Sequence, residues 1–136
     1  MVKIIIGRKG SGKTKKLVDF VNAAAEKSNG NVVCIEKGDT LKFSITHKAR
    51  LIDADHYGIS GFDAYFGMIC GILAGNYDVT DLFGDATLRI GSRDYAELEE
   101  FLKKVEVLAN EAKVDIIFTV SADAEELPAG VLAYAE

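Results

Sequence analysis

The chain is poor in the residues that build cross-links, metal clusters and membrane spans. Its two cysteines, Cys34 and Cys70, stand far apart in 136 residues, which argues against a disulfide framework or a cysteine zinc site and leaves two free, buried thiols. It holds two histidines, and no Ser/His/Asp or Cys/His arrangement follows from their spacing. Four arginines are too few for a long basic track, so nucleic acid is not the expected partner. The longest stretch without charge, between Asp63 and Asp78, has 14 residues, against the ~20 that a membrane span needs. Lys3, Arg8 and Lys9 flank only three isoleucines, so no secretory signal is read and the expected location is cytoplasmic. The single proline, Pro128, lies near the end, and no repeat, low-complexity tract or linker divides residues 1–136. One domain with a real core is expected.

What remains is 49% hydrophobic and 27% charged, an ordinary globular balance. The net charge of −5 hides an asymmetry. Residues 1–50 hold eleven Lys/Arg against four Asp/Glu, whereas residues 51–136 hold five against seventeen. The basic excess surrounds a glycine-rich segment, where Arg8, Lys9, Lys13, Lys15 and Lys16 lie together. Such a local positive field suits a polyanion. For Lys15 and Lys16 a solvated helix face is the plainer reading.

Residues 2–6, rich in isoleucine and valine, read as a buried strand. From Thr14 to Asn29 the apolar period becomes helical, with Leu17, Val18, Phe20, Val21, Ala24 and Ala25 in one stripe and Gly30 expected as a left-handed cap. Residues 32–35 read as a second strand, and residues 41–45 and 49–53 as a hairpin. Residues 61–76 predict a buried helix capped by Ser60. Gly67, Gly71 and Gly75 fall along one of its faces, which suggests close approach to a neighbouring element or, alternatively, a contact with a protein partner or second subunit. Residues 77–85 give a poorer strand. Asp94 and Glu97 predict a capping box before an amphipathic helix to Ala112. Residues 115–121 follow as a buried strand, and residues 126–136 as a final edge strand. The alternation predicts an α/β domain, a three-layer sandwich around a mainly parallel sheet, whose ligands sit at the carboxyl ends of the strands.

Between the first strand and the first helix stands Gly7-Arg8-Lys9-Gly10-Ser11-Gly12-Lys13-Thr14, which matches G-x-x-x-x-G-K-[ST]. Glycines let the backbone wrap an anion and aim successive N–H groups at it, and the following helix adds unpaired donors and its positive dipole end. Gly7, Gly10, Ser11, Gly12, Lys13, Thr14 and Lys15 are the expected phosphate-binding residues. Lys13 would meet the β- and γ-phosphates, and Thr14 would give its hydroxyl to Mg²⁺.

GRKGSGKT resembles the Walker A motif of the P-loop NTPase superfamily, and the order of elements suits the fold that this implies. The resemblance also implies an aspartate at the end of an apolar strand that orients Mg²⁺. Asp85, after Leu82-Phe83-Gly84, is the candidate and Asp81 the runner-up. By position, Thr119 or Ser121 matches the polar residue that senses the γ-phosphate in one branch. Ala86 stands where ATPases of that branch carry a water-activating glutamate. Asp81-Leu82-Phe83-Gly84 fits the D-x-x-G of GTPases formally, but no N-K-x-D motif exists, which favours ATP over GTP. The signature loop of transporter ATPases is absent. The chain also resembles small uncharacterised bacterial ATP-binding proteins sometimes labelled as related to the twitching-motility retraction ATPase. That motor is much longer and carries histidine and aspartate boxes not found here.

Asp53-Ala54-Asp55-His56 reads as a solvated strand end, with a metal site or a phosphate-facing edge as the alternatives, and His47 as a surface residue. The leading expectation is a Mg-ATP-binding protein, either a slow ATPase or a nucleotide-dependent switch. A small-molecule kinase on the same loop and a non-catalytic nucleotide-binding subunit are the alternatives; for the kinase, only Arg50, Arg89 and Arg93 lie outside the loop.

Overall fold

The computed structural model describes residues Met1–Glu136. Five strands form one sheet, all parallel: β1 (Val2–Gly7), β2 (Asn31–Glu36), β3 (Ala49–Asp53), β4 (Val79–Gly84) and β5 (Asp115–Ser121), in the order β1-β5-β4-β2-β3. The helices are α1 (Lys13–Lys27), α2 (Phe62–Gly75), a short α3 (Thr87–Ile90), α4 (Tyr95–Ala112) and a short α5 (Ala129–Leu132). None is long and apolar enough to cross a membrane.

Burial of both sheet faces explains the near-continuous apolar strands. On one face Ile5, Val32, Cys34 and Phe83 pack against Leu17 and Val21 of α1 and against Leu41 and Ile45. On the other, Ile4, Val33, Ile35, Leu82, Ile116 and Phe118 meet the stripes of α2 and α4. The α4 stripe is Leu98, Phe101, Leu102, Val105 and Ala109, the spacing of one helix face. Each of its larger side chains contributes about 1.5–3 kcal/mol by leaving water. Helices thus cover both faces of an α/β sheet.

Several local expectations are corrected. Residues 41–45 are a turn and not a strand, so no hairpin forms and β3 pairs with β2 in parallel. The cause is Glu36, whose carboxylate accepts the Thr40 and Leu41 N–H groups at 3.1 and 3.3 Å and so diverts them from a ladder. Leu41 and Ile45 remain apolar anchors, four residues apart on a helix-like turn. Gly30 is not a left-handed cap: α1 ends at Ser28, whose N–H donates to Ala24 O. Gly30 is instead required by a close approach, since a Cβ there would run into the Asp78 carbonyl. Gly61 and not Ser60 caps α2, and its N–H donates to Ile90 O. Asp94 does cap α4, accepting from Ala96 and Glu97, but Glu97 turns to the Ser92 hydroxyl and leaves the box half made. The end of the chain forms α5 after Pro128 and adds only a bridge from Ala135 to Ile4, at the free edge of β1.

The glycine face of α2 is also corrected. Gly67, Gly71 and Gly75 are exposed, and a Cβ on any of them would meet nothing within 4 Å, so no intramolecular packing explains them.

Candidate functional site

The register gathers four strand ends at one edge of the sheet, with β1 and β5 ending three residues beyond β4. Gly7 of β1 pairs with Ser121 of β5, Gly84 of β4 with Phe118 of β5, and Ile35 of β2 with Gly84. The chain leaves β1 toward α1 on one face and leaves β4 and β5 toward helices on the other. That divergence opens a crevice at the carboxyl ends, where ligands of such sheets sit.

The glycine-rich loop spans residues 7–12 and borders this crevice. Gly10 and Gly12 have φ of 83° and 89°, a left-handed backbone that other residues adopt only under strain. Gly12 is the N-terminal cap of α1, and no acidic side chain of the helix's own first turn offsets its positive dipole end. The Arg8 carbonyl accepts the Ser11 N–H at 3.0 Å and the Lys13 Nζ at 3.3 Å. Lys13 is only 8% exposed, an unusual position for a lysine that pairs with no carboxylate. The loop is tied to the far end of the chain by Arg8, whose Nε donates to both oxygens of Asp123 at 2.7 and 2.9 Å.

Asp85 reaches the loop from the end of β4. The Thr14 hydroxyl lies 3.3 and 3.4 Å from its two oxygens, although 71 residues separate the pair. Thr119 on β5 donates to Asp85 Oδ1 at 2.6 Å and accepts the Ala86 N–H at 3.2 Å. Thr119 is therefore a buried prop for Asp85, whereas Ser121, two residues on, faces the crevice. Asp81 lies elsewhere: its carboxylate accepts the neighbouring Thr80 hydroxyl, near the C-terminal end of α1.

These groups enclose a cavity of about 500 Å³. Lys9 and Gly10 line it from the loop, Lys13 and Thr14 from the start of α1, and Asp85, Ala86, Arg89 and Arg93 from the segment after β4. Four cations thus face one carboxylate in a chain of net charge −5. Lys15 is not among them, since its side chain is exposed and meets Asp19 at 3.5 Å along the helix. The Gly7 backbone lies beneath Ser11, where a Cβ would collide with the Ser11 hydroxyl.

Arg89 and Arg93 were invisible to motif spacing. One signal was available: a residue just beyond the carboxyl end of a parallel strand lies on the ligand side of the sheet. Glu36, ending β2, was missed too. Burial raises its carboxyl pKa, partly offset by the hydrogen bonds from Leu41 and Thr40. It lies near enough to Cys34 that, after burial itself and Asp85, it helps push that thiol up to about 12.

Asp53, Asp55 and His56 do not converge on the cavity and form no metal cluster. Asp53 accepts the Gly38 and Asp55 N–H groups, and the Gly38 bond leads the causes that hold its carboxyl below the usual range. Asp55 pairs with Lys37 at 2.6 Å. No protein-family model matches this chain, and no curated protein is significantly similar to it.

Proposed function

We propose that the protein binds Mg²⁺ and a nucleoside triphosphate, ATP in preference to GTP, as a small member of the P-loop class that acts as a slow ATPase or a nucleotide-dependent switch. The observation that carries this reading is the meeting of Thr14 with Asp85 beside a buried Lys13 at the start of a 15-residue helix. A hydroxyl and a carboxylate are hard oxygen donors of the kind magnesium takes alongside phosphate oxygens. One or two protein donors suffice for such an ion, so the lack of an all-protein metal cluster agrees with it. Bound there, the ion would neutralise charge on the phosphates. The chain's own part is to wrap the anion with the amides of residues 10–14, to hold the Lys13 ammonium in place, and to fix Asp85 through Thr119.

Slow turnover follows from what the cavity lacks. Asp85 is its only carboxylate and is engaged by Thr14 and Thr119. Glu36 is committed to the amides of Thr40 and Leu41. Neither is left free to take a proton from water, as general-base catalysis requires.

Calorimetric titration with ATP and with GTP, each with Mg²⁺, tests the reading. Wild type is expected to bind ATP more tightly than GTP, and Lys13→Ala to lose ATP affinity by about a hundredfold or more, the effect of removing a charge-assisted contact in a buried site. Equal affinity in the variant, or no binding of either nucleotide to wild type, overturns it.

A further inference from the structure

The two edges of the sheet are finished differently. At β1 the end of the chain takes up the free backbone: the Ile4 N–H donates to the Tyr134 carbonyl at 2.9 Å, and the Ile4 carbonyl accepts the Glu136 N–H at 3.1 Å. At the opposite edge, β3 pairs with β2 alone. The Ala54 N–H donates to the Glu36 carbonyl, which fixes the alternation along the strand. Arg50, Ile52 and Ala54 turn their backbone groups to β2, and Leu51 and Asp53 turn theirs outward. Those outward N–H and carbonyl groups bond to no other residue of the chain.

Proteins blunt such edges with a proline, a bulge or a covering segment. β3 has no proline, and its register with β2 runs unbroken from Ala49 to Asp53. Its central side chains are only half-buried, Leu51 packing on the α1 face of the sheet and Ile52 on the α2 face. A cavity of about 470 Å³, bordered by Arg50, Ile52 and Ile72, opens beside the strand on the α2 face. The edge is thus built to take another strand, one with apolar side chains on both of its faces.

We propose that the protein forms a symmetric dimer in which the β3 strands of two copies pair antiparallel and join the two five-stranded sheets into one. β3 is its own complement. His47, Lys48 and Arg50 stand at its N-terminal end, and Asp53 and Asp55 at its C-terminal end. Antiparallel pairing sets basic end against acidic end, whereas parallel pairing would set like against like. With the two-fold axis at Leu51, the two Leu51 residues exchange both backbone bonds, and each Asp53 N–H reaches an Ala49 carbonyl across the axis. This edge lies beyond β2 from Asp85, so the dimer does not depend on the nucleotide reading.

Sedimentation of wild type from about 10 µM to about 1 mM, with amide exchange followed by NMR at both ends of that range, tests the proposal. One strand from each copy is a small interface, so a weak, concentration-dependent dimer is expected. The Leu51 and Asp53 amides should exchange about tenfold more slowly at the high concentration, and the Ile52 amide, already bonded to β2, should change less. Arg50 is exposed and pairs with no carboxylate of its own chain. Arg50→Glu should therefore raise the dimer Kd by about tenfold or more, yet melt at the wild-type temperature in dilute solution. A monomer at every concentration overturns the proposal and leaves the edge to a strand of another protein. A dimer whose Leu51 and Asp53 amides stay fast, or which Arg50→Glu leaves unchanged, also overturns it and points to another face, such as the exposed glycines of α2.

Discussion

Tyr65 illustrates what single residues do near the site. It is fully buried beneath Gly84, stacked on Phe101 at 5.2 Å and edge-on to Phe118 at 5.8 Å, and its hydroxyl has no hydrogen-bond partner. Burial raises its pKa and keeps the phenol neutral. An orphan buried hydroxyl costs stability, so Tyr65→Phe is expected to be neutral or to stabilise by up to about 1 kcal/mol in chemical unfolding. A loss larger than that would mean the hydroxyl does have a partner. The second orphan hydroxyl, Thr87, lies three residues from Gly84, and the left-handed Ala86 lies between them. Local rules are thus broken together around Asp85, as happens where a site rather than stability sets the geometry. At this scale the local structure of the motif was legible, since Gly10, Gly12, Lys13 and Thr14 stand within a few residues at the start of α1. Arg89 and Arg93 were not, because no motif marks an arginine on a four-residue helix or in the turn that follows it.

Elements were legible where periodicity was long and failed where one side chain redirected the backbone. The α4 stripe runs over about three turns and left no ambiguity. Residues 41–45 look strand-like until the Glu36 carboxylate takes the Leu41 N–H and that of Thr40 just before it, a contact that depends on β2 ending at Glu36. The glycines divide in the same way. Gly30→Ala must displace the Asp78 carbonyl and is expected to destabilise by about 1–3 kcal/mol, whereas Gly67→Ala adds a methyl to open space and should stabilise α2 by up to about 1 kcal/mol. Thermal unfolding of the two variants checks the opposite signs. The exposed glycine face leaves the partner expectation for α2 as a proposal, and sedimentation of wild type beside Gly71→Ala decides whether that face joins two copies.

For the whole molecule, charge distribution outweighs net charge. A chain of −5 is expected to attract a polyanion only because Lys9, Lys13, Arg89 and Arg93 share one cavity. Their field is partly exposed and therefore screened, with a Debye length of about 10 Å at 0.1 M salt falling to about 3 Å at 1 M. ATP affinity should accordingly fall by about tenfold between 0.05 and 0.5 M NaCl, as followed by calorimetry at fixed Mg²⁺. An affinity indifferent to salt would place the nucleotide away from this cavity.

The α/β alternation, the glycine-rich turn between a strand and a helix, and the lysine and threonine that open α1 were all readable along the chain. All of these are properties of residues close together along the chain. Strand order was decided only in the tertiary structure. Placing β5 between β1 and β4 set Asp85 against Thr14, made Thr119 its prop, put Ser121 at the cavity wall and carried two arginines to a loop some eighty residues before them. Parallel pairing depends on which apolar faces are buried together, and no local spacing records that choice.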